Sequence, residues 1–448
     1  MLKHQSHHFA TYGEMTTIHV GSKLWVLLNS NRVAEEIYNK RGKITNGRPS
    51  YPILGDLISQ NRRSILLPQE KWSQQRRLMH QLLGGTALVT YQEYQNEESL
   101  RLLASYSKDP AGWYRHHLHY SSAVIHRIAF GERPREFDEN LQGVAKAQEI
   151  FLLNAPPYNL LDSFPELAKL PKWLQFWRKR YQALGKKTDD WYGRYWDPIH
   201  HAIKSETAPD SFAQRLISDK TALENKNIDP KWLSMVLVEA GSDTTRLTLN
   251  IFALAASLHR DKYLEARAEI DAVCGNNAER LSTFADEVKM PYTLAFIKEL
   301  LRWRPIFTWT PEHTLTEDLK FEGYSFPKGT HFVLNHAALC KDISAFDDAN
   351  AFKPERWLDG HQSDLTHGLW QLGGGRRVCV GYRVAQKSLF INMSRLIYCF
   401  DYEAREAFDS SDIKHFELDE PFPITPKIRS LAHAKLLERV FENLSDLN

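Results

Sequence analysis

Cys379 stands inside "GGGRRVCVG", residues 373–381, among glycines and two arginines. A packing cysteine prefers apolar neighbours, and a disulfide needs a partner. The other cysteines, Cys274, Cys340 and Cys399, form no C-x-x-C pair, so neither a zinc site nor a disulfide framework is indicated. What remains is a reactive sulfur. Arg376, Arg377 and the N–H groups of a helix starting just after Cys379 should lower its pKa. Gly373, Gly374, Gly375 and Gly381 permit positive φ and close approach of a neighbouring group. A cysteine nucleophile would need a base. His367 is near in sequence, but no protease-like signature surrounds it. A flat, bulky metal cofactor explains the cleared space better.

Two further constellations carry chemistry. "AGSDTT", Ala240–Thr245, places glycine, three hydroxyls and a carboxylate in the middle of an apolar helix. Buried polar groups need partners or a cavity. Either each hydroxyl bonds back to a carbonyl one turn earlier, or the acid and alcohol of Asp243 and Thr244 relay protons to a ligand that Gly241 lets approach. In "KELLR", Glu299 and Arg302 lie at i and i+3 among Leu294, Phe296, Ile297, Leu300 and Leu301, so they share a face and are expected to be buried. A buried pair requires further hydrogen bonds, and Arg356 in "FKPERW" is available to Glu299.

Elements that could position these groups follow from the pattern. "TTIHVGSKLWVLLN" alternates and predicts one or two strands, followed by a helix closed near Gly42. Helical periodicity then runs from Lys71 to Val273, broken at Pro110, Pro134, Pro156–Pro157 and Pro171. Within it, Asp229 as N-cap and Pro230 at the first turn open a long helix ending near His259. A second helix covers "YTLAFIKELLRWRP". Short strands with an "FPKGT" turn are expected between Thr314 and Val333, loop to Gly375, a helix after Cys379, and strands and turns from Asp401 onward.

Composition bounds the rest. The 448 residues carry a formal net charge of only +2, which gives nucleic-acid binding no support. No run of eighteen apolar residues occurs, and the start lacks the form of a signal peptide. His4, His7 and His8 cluster near the terminus, where a solvated chain end is the expectation. With no repeat or long linker, residues 1–448 read as one domain, mainly α with small β-sheets.

At this point the motifs resemble the cytochrome P-450 superfamily, the haem-thiolate monooxygenases. The cysteine loop F-x-x-G-x-R-x-C-x-G is matched by Leu372, Gly375, Arg377, Cys379 and Gly381, with leucine in place of phenylalanine. "AGSDTT" resembles the oxygen-activating helix motif, "KELLR" and "FKPERW" the buried triad, and "KWSQQRR" the W-x-x-x-R pattern through Trp72 and Arg76. These motifs stand in family order. "EIYNKRG" and "LLDSFPELAKLPKWL" are most similar to fungal microsomal-type members.

The resemblance implies the cytochrome P-450 fold, a triangular single domain with haem b between the central helix and the cysteine loop. It implies Cys379 as axial iron ligand, and Trp72, Arg76, His313 and Arg377 as holders of the haem propionates. Leu372, Gly241 and Gly381 would line the haem. Asp243 and Thr244 would deliver protons to O2, while Glu299, Arg302 and Arg356 would be structural. Phe307, Thr308 and Trp309 are possible substrate contacts. The implied reaction inserts one oxygen of O2 into a small hydrophobic substrate, in fungal secondary metabolism. Electrons would come from an NADPH-cytochrome P-450 reductase, or a cytochrome b-type donor, docking near Arg376, Arg383 and Lys387. Microsomal relatives carry an apolar anchor of roughly 20 residues. It is expected to lie outside this chain, the full-length protein associating with the cytosolic face of the endoplasmic reticulum. The apolar stretch 151–174 could lie on that surface. Rival readings are a peroxide-rearranging haem enzyme needing no reductase, a haem sensor or carrier, and a cysteine hydrolase.

Overall fold

The computed structural model describes residues 13–134, 139–155, 159–410 and 419–445. The expected break at Pro156–Pro157 and the histidines at 4, 7 and 8 lie outside them. Two strands form at the start, β1 (Met15–Val20) and β2 (Lys23–Leu28), antiparallel with Val20 opposite Lys23. Their turn needs Gly21 twice over: its φ is +66°, and a Cβ there would collide with the Ser163 carbonyl. The downstream strands are β3 (His313–Thr314), β4 (Leu319–Phe321), β5 (Tyr324–Phe326) and β6 (His331–Leu334). One sheet runs β1-β2-β6-β3, β6 lying parallel to β2, and β4 and β5 make a hairpin. The last pair is β7 (Phe400–Ala404) with β8 (Ile424–Ile428).

Helices make the body. In chain order the principal ones are α1 (Gln69–Leu82), α2 (Ala87–Lys108), α3 (Trp113–Phe130), α4 (Glu139–Asn154), α5 (Arg178–Lys204), α6 (Pro230–Leu258), α7 (Arg260–Cys274), α8 (Pro291–Trp303), α9 (Tyr382–Cys399) and α10 (Leu431–Ser445). The central helix α6 begins as its sequence dictates: the Asp229 carboxylate accepts from Trp232 N at 3.1 Å, and Pro230 fills the first turn. It crosses α3 closely and also packs on α8 and α9.

The chain's end differs from expectation. After β7 and β8 it forms α10, not further strands and turns. Leu436 and Leu437 are buried, with Ala432, Val440 and Phe441 packed behind them, and the Ser430 hydroxyl meets His433 N at 3.4 Å. That apolar stripe recurs at helical spacing.

Candidate active site

The cysteine loop is held by the N-terminal segment. Trp370 Nε1 donates to Asn31 Oδ1 at 2.8 Å, Gly375 N to Asn39 Oδ1 at 2.7 Å, and Arg377 Nε to the Asn46 carbonyl at 2.5 Å. Cys379 N closes the loop on the Leu372 carbonyl at 2.7 Å, while the Leu372 side chain packs on the core. Of the loop glycines, Gly373 and Gly375 take positive φ, +76° and +59°, and a Cβ on Gly375 would strike the Tyr38 carbonyl. Gly374 and Gly381 do not, with φ −156° and −87°. Gly374 instead passes Trp370, and a Cβ on Gly381 would only touch the Cys379 sulfur, at 4.0 Å.

Cys379 is exposed, whereas Cys274, Cys340 and Cys399 are buried. Its thiol is not acidified as the neighbouring charges suggested. Crowding by protein atoms raises its pKa, outweighing a Gly381 N–H and the Arg76 charge. Arg376 is exposed and Arg377 turns toward backbone carbonyls, so of the nearby arginines only Arg76 works on the sulfur. His367 stacks on His361 at 4.1 Å, with its cleft formed by Phe346, Arg356 and Trp357.

Beside the sulfur lies a cluster of guanidiniums. Arg76 donates to the Val378 carbonyl, and its buried Nε has no partner. Arg377 donates from Nη2 to the Leu67 carbonyl at 2.9 Å, and its Nη1 is buried without a partner. The Trp72 ring lies 4.3 Å from the Arg377 guanidinium and 5.8 Å from that of Arg76. Burial pushes Arg377 down to about 8, and the Arg48 charge adds to the shift. Arg48, which the sequence reading missed, spends its N–H groups on the carbonyls of Ile65, Pro311 and Glu312. It sits in an aperiodic Gly-Arg-Pro segment, just after the bridge of Gly47 to Thr314, that carries no motif. Among the described residues, none of these three arginines makes a carboxylate ion pair. Unpaired buried donors on fixed guanidiniums suit carboxylate groups of a ligand. A cavity of about 220 Å³ lined by Arg48, Tyr51, Arg63, Leu67 and Pro68 adjoins them.

His313 departs from the propionate-donor role. It is buried, stacked on Tyr38 at 4.3 Å, and its Nδ1 must donate to the Thr45 carbonyl, 2.8 Å away. Burial, then Arg48 and Arg377, push its pKa well down. The neutral ring therefore has no proton on Nε2 to give.

On α6 the residues from Trp232 to Ala256 are mostly buried, yet Ala240 is exposed and Gly241 to Thr245 are partly accessible. The hydroxyls bond back along the helix: Ser242 to the Val238 carbonyl at 2.7 Å and Thr244 to that of Ala240 at 2.8 Å. Asp243 Oδ1 accepts from Arg246 Nη2 at 2.8 Å and Oδ2 from Gln148 Nε2 at 3.0 Å. Gly241 does not simply clear space for a cofactor. A Cβ there would clash with Ile125 of α3, so the glycine permits the close helix crossing.

Glu299, Arg302 and Arg356 come together. Arg302 gives Nε and Nη2 to the two Glu299 oxygens at 2.8 and 2.7 Å, and Arg356 Nε lies 3.2 Å from Glu299. Trp357 Nε1 and Lys353 N complete the carboxylate's shell at 3.0 and 2.7 Å. Of the possible substrate contacts, Phe307 is 36% exposed. Thr308 gives its carbonyl to His336 N at 3.0 Å. Trp309 instead packs against Trp25, Leu27 and Val333 of the sheet. Lys387 is paired with Glu287, whereas Arg376 and Arg383 stay exposed.

A helical body around a long central helix and an exposed cysteine backed by unpaired guanidiniums define a haem-thiolate protein. The chain belongs to the cytochrome P-450 family, whose model matches residues 1–426. It is 30% identical over 441 residues to the cytochrome P-450 monooxygenase aneD of Aspergillus aculeatus, covering 96% of this chain and 84% of that one. It is 28% identical over 439 residues to the cytochrome P-450 monooxygenase FrzL of a Cladobotryum species, covering 96% and 83%. The fold matches a zebra fish cytochrome P-450 solved with progesterone, with TM-score 0.75, 21% identity and 96% and 99% of the two chains covered. The protein is thus a cytochrome P-450 monooxygenase with haem as cofactor.

Proposed function

We propose that this chain oxidises a small hydrophobic molecule in fungal secondary metabolism, drawing electrons from an NADPH-cytochrome P-450 reductase, or from a cytochrome b-type donor. The carrying observation is the exposed Cys379 beside buried guanidinium donors that lack partners. Cys379 would bind the haem iron through its sulfur, and Arg76 Nε and Arg377 Nη1 would donate to the propionates. Trp72 would hold both guanidiniums by stacking, and Arg48 would add charge. Bound there, haem b supplies the iron that ionises the thiol and activates O2 toward a C–H or double bond. Thr244 Oγ1, on the accessible facet of α6, would hold a proton, and the Asp243 carboxylate would supply the next one from solvent. Phe307 would wall the substrate space.

Arg376 and Arg383, exposed beside the cysteine loop, suit an acidic electron donor. Among the described residues no helix is long and apolar enough to cross a membrane. Exposed Leu160, Phe164, Trp173, Leu174 and Phe176, flanked by Lys169, Lys172 and Lys179, support surface attachment to the endoplasmic reticulum.

The test replaces Cys379 by serine. Reduced protein under carbon monoxide should show the thiolate-type absorption band in the wild type and lose it in the variant. A folded, haem-supplied wild type without that band would overturn the reading.

A further inference from the structure

Asp243 is held by two different elements. Arg246, one turn along α6, takes Oδ1 with Nε at 3.1 Å and Nη2 at 2.8 Å. Gln148, on α4, takes Oδ2 at 3.0 Å. Glu239, one turn earlier on the same face, is committed elsewhere, to Arg63 and the Tyr192 hydroxyl. Both Asp243 oxygens are thus engaged. Among the described residues no hydrogen bond joins Asp243 to Thr244, whose own proton goes to the Ala240 carbonyl. The acid and the alcohol are adjacent in sequence but are not assembled as a relay.

The holder on α4 is mechanically connected. Phe151 of α4 lies 4.1 Å below the Arg63 guanidinium, and Ile150 and Phe151 pack on Tyr51, Ile53 and Leu54. Gly143 passes so near Trp191 of α5 that a Cβ would come within 2.7 Å. Some residues beyond its end, the chain enters the exposed apolar stretch around Leu160 and Trp173. A ligand displacing α4 would therefore act on Asp243 Oδ2.

We propose that Gln148 is a positioning residue that keeps the Asp243 carboxylate turned from Thr244 until α4 moves. The role rests on Asp243 handling protons in the proposed oxygenation. On release, Oδ2 is free while Arg246 keeps Oδ1; Oδ2 takes a proton from solvent hydronium and gives it to Thr244 Oγ1 as that hydroxyl hands its own proton on to the oxygen being reduced, so the carboxylate returns to its ionised form. No net charge or electron is exchanged with the chain. The arrangement makes proton supply depend on an occupied pocket.

The test uses the haem-loaded chain with an NADPH-dependent reductase and no added substrate. Oxygen consumption is read in H2O and in D2O. Gln148→Leu removes the donor with little change of volume. It should raise substrate-free oxygen consumption roughly tenfold, the order expected for one hydrogen bond to a charged group, and change the solvent isotope effect. Gln148→Glu, which sets a second carboxylate against Oδ2, should raise it further. A double-mutant cycle of Gln148→Leu with Asp243→Asn, read by urea unfolding, should be non-additive. An additive cycle overturns the proposal. So does a Gln148→Leu protein of lowered stability whose oxygen consumption and isotope effect match the wild type, the mark of a merely structural role. A wild type without the thiolate-type carbon monoxide band overturns the functional reading and this role with it. A wild type with the band but no coupling overturns the positioning role alone.

Discussion

Replacing Arg302 by methionine tests whether the buried triad carries the fold. Arg302 is 1% exposed, and all five of its N–H groups are used. Two meet Glu299, and the others meet the carbonyls of Cys340, Ala349 and Ala351 at 2.6, 2.7 and 2.9 Å. Methionine fills similar space and supplies no donor. Leaving the buried Glu299 charge without its main partner costs about 3–5 kcal/mol. Each orphaned carbonyl adds roughly 1 kcal/mol at the low end. The total of about 6–8 kcal/mol matches much of a domain's usual stability of about 5–15 kcal/mol. Arg302→Met should therefore fail to accumulate as folded protein, or unfold at far lower urea than the wild type. Arg302→Lys keeps the charge but cannot span five acceptors from one nitrogen, so it should lose roughly half as much. The assay is the urea midpoint followed by tryptophan fluorescence. A soluble Arg302→Met protein within about 1 kcal/mol of the wild type would refute the reasoning.

Other expectations are equally direct. Gly241→Ala should destabilise by about 1–3 kcal/mol through overpacking against Ile125, and Ile125→Ala should restore much of that loss in the urea midpoint. His336 is buried, and burial alone pushes its pKa from 6.5 to about 4. The unfolded chain then binds the extra proton between those values, so stability is greatest above pH 6.5 and falls as pH drops toward 4; His336→Phe should flatten that slope in pH-dependent urea titrations. Replacing Trp173 and Phe176 by serine should weaken partitioning to anionic lipid vesicles roughly tenfold in a sedimentation assay; unchanged partitioning removes that surface from the membrane role.

The parts legible in the sequence are those whose signal is local. Asp229 and Pro230 announce the start of α6, and the spacing of Glu299 and Arg302 places them on one apolar face. The helical spacing of Ala432, Leu436, Val440 and Phe441 is equally local and overrides the expectation of strands and turns in the tail. What was not legible is orientation. The two arginines beside Cys379 count as charge in the sequence, but their guanidiniums turn to solvent and to distant carbonyls. Gly241 looks like a clearance until its missing side chain is seen to face Ile125, more than a hundred residues away. Gln148 and Arg48 belong to no motif and gain their meaning from contacts across the fold.

Arg48 and Arg76 both repel the Arg377 guanidinium, against only a weaker pull from Glu70, and among the described residues none of the three arginines is ion-paired to a carboxylate. The polypeptide is therefore folded around a mutual repulsion that a dianionic prosthetic group would relieve. Maturation in the cell should consequently track porphyrin supply, with chains made during iron or porphyrin shortage turning over before those made in plenty.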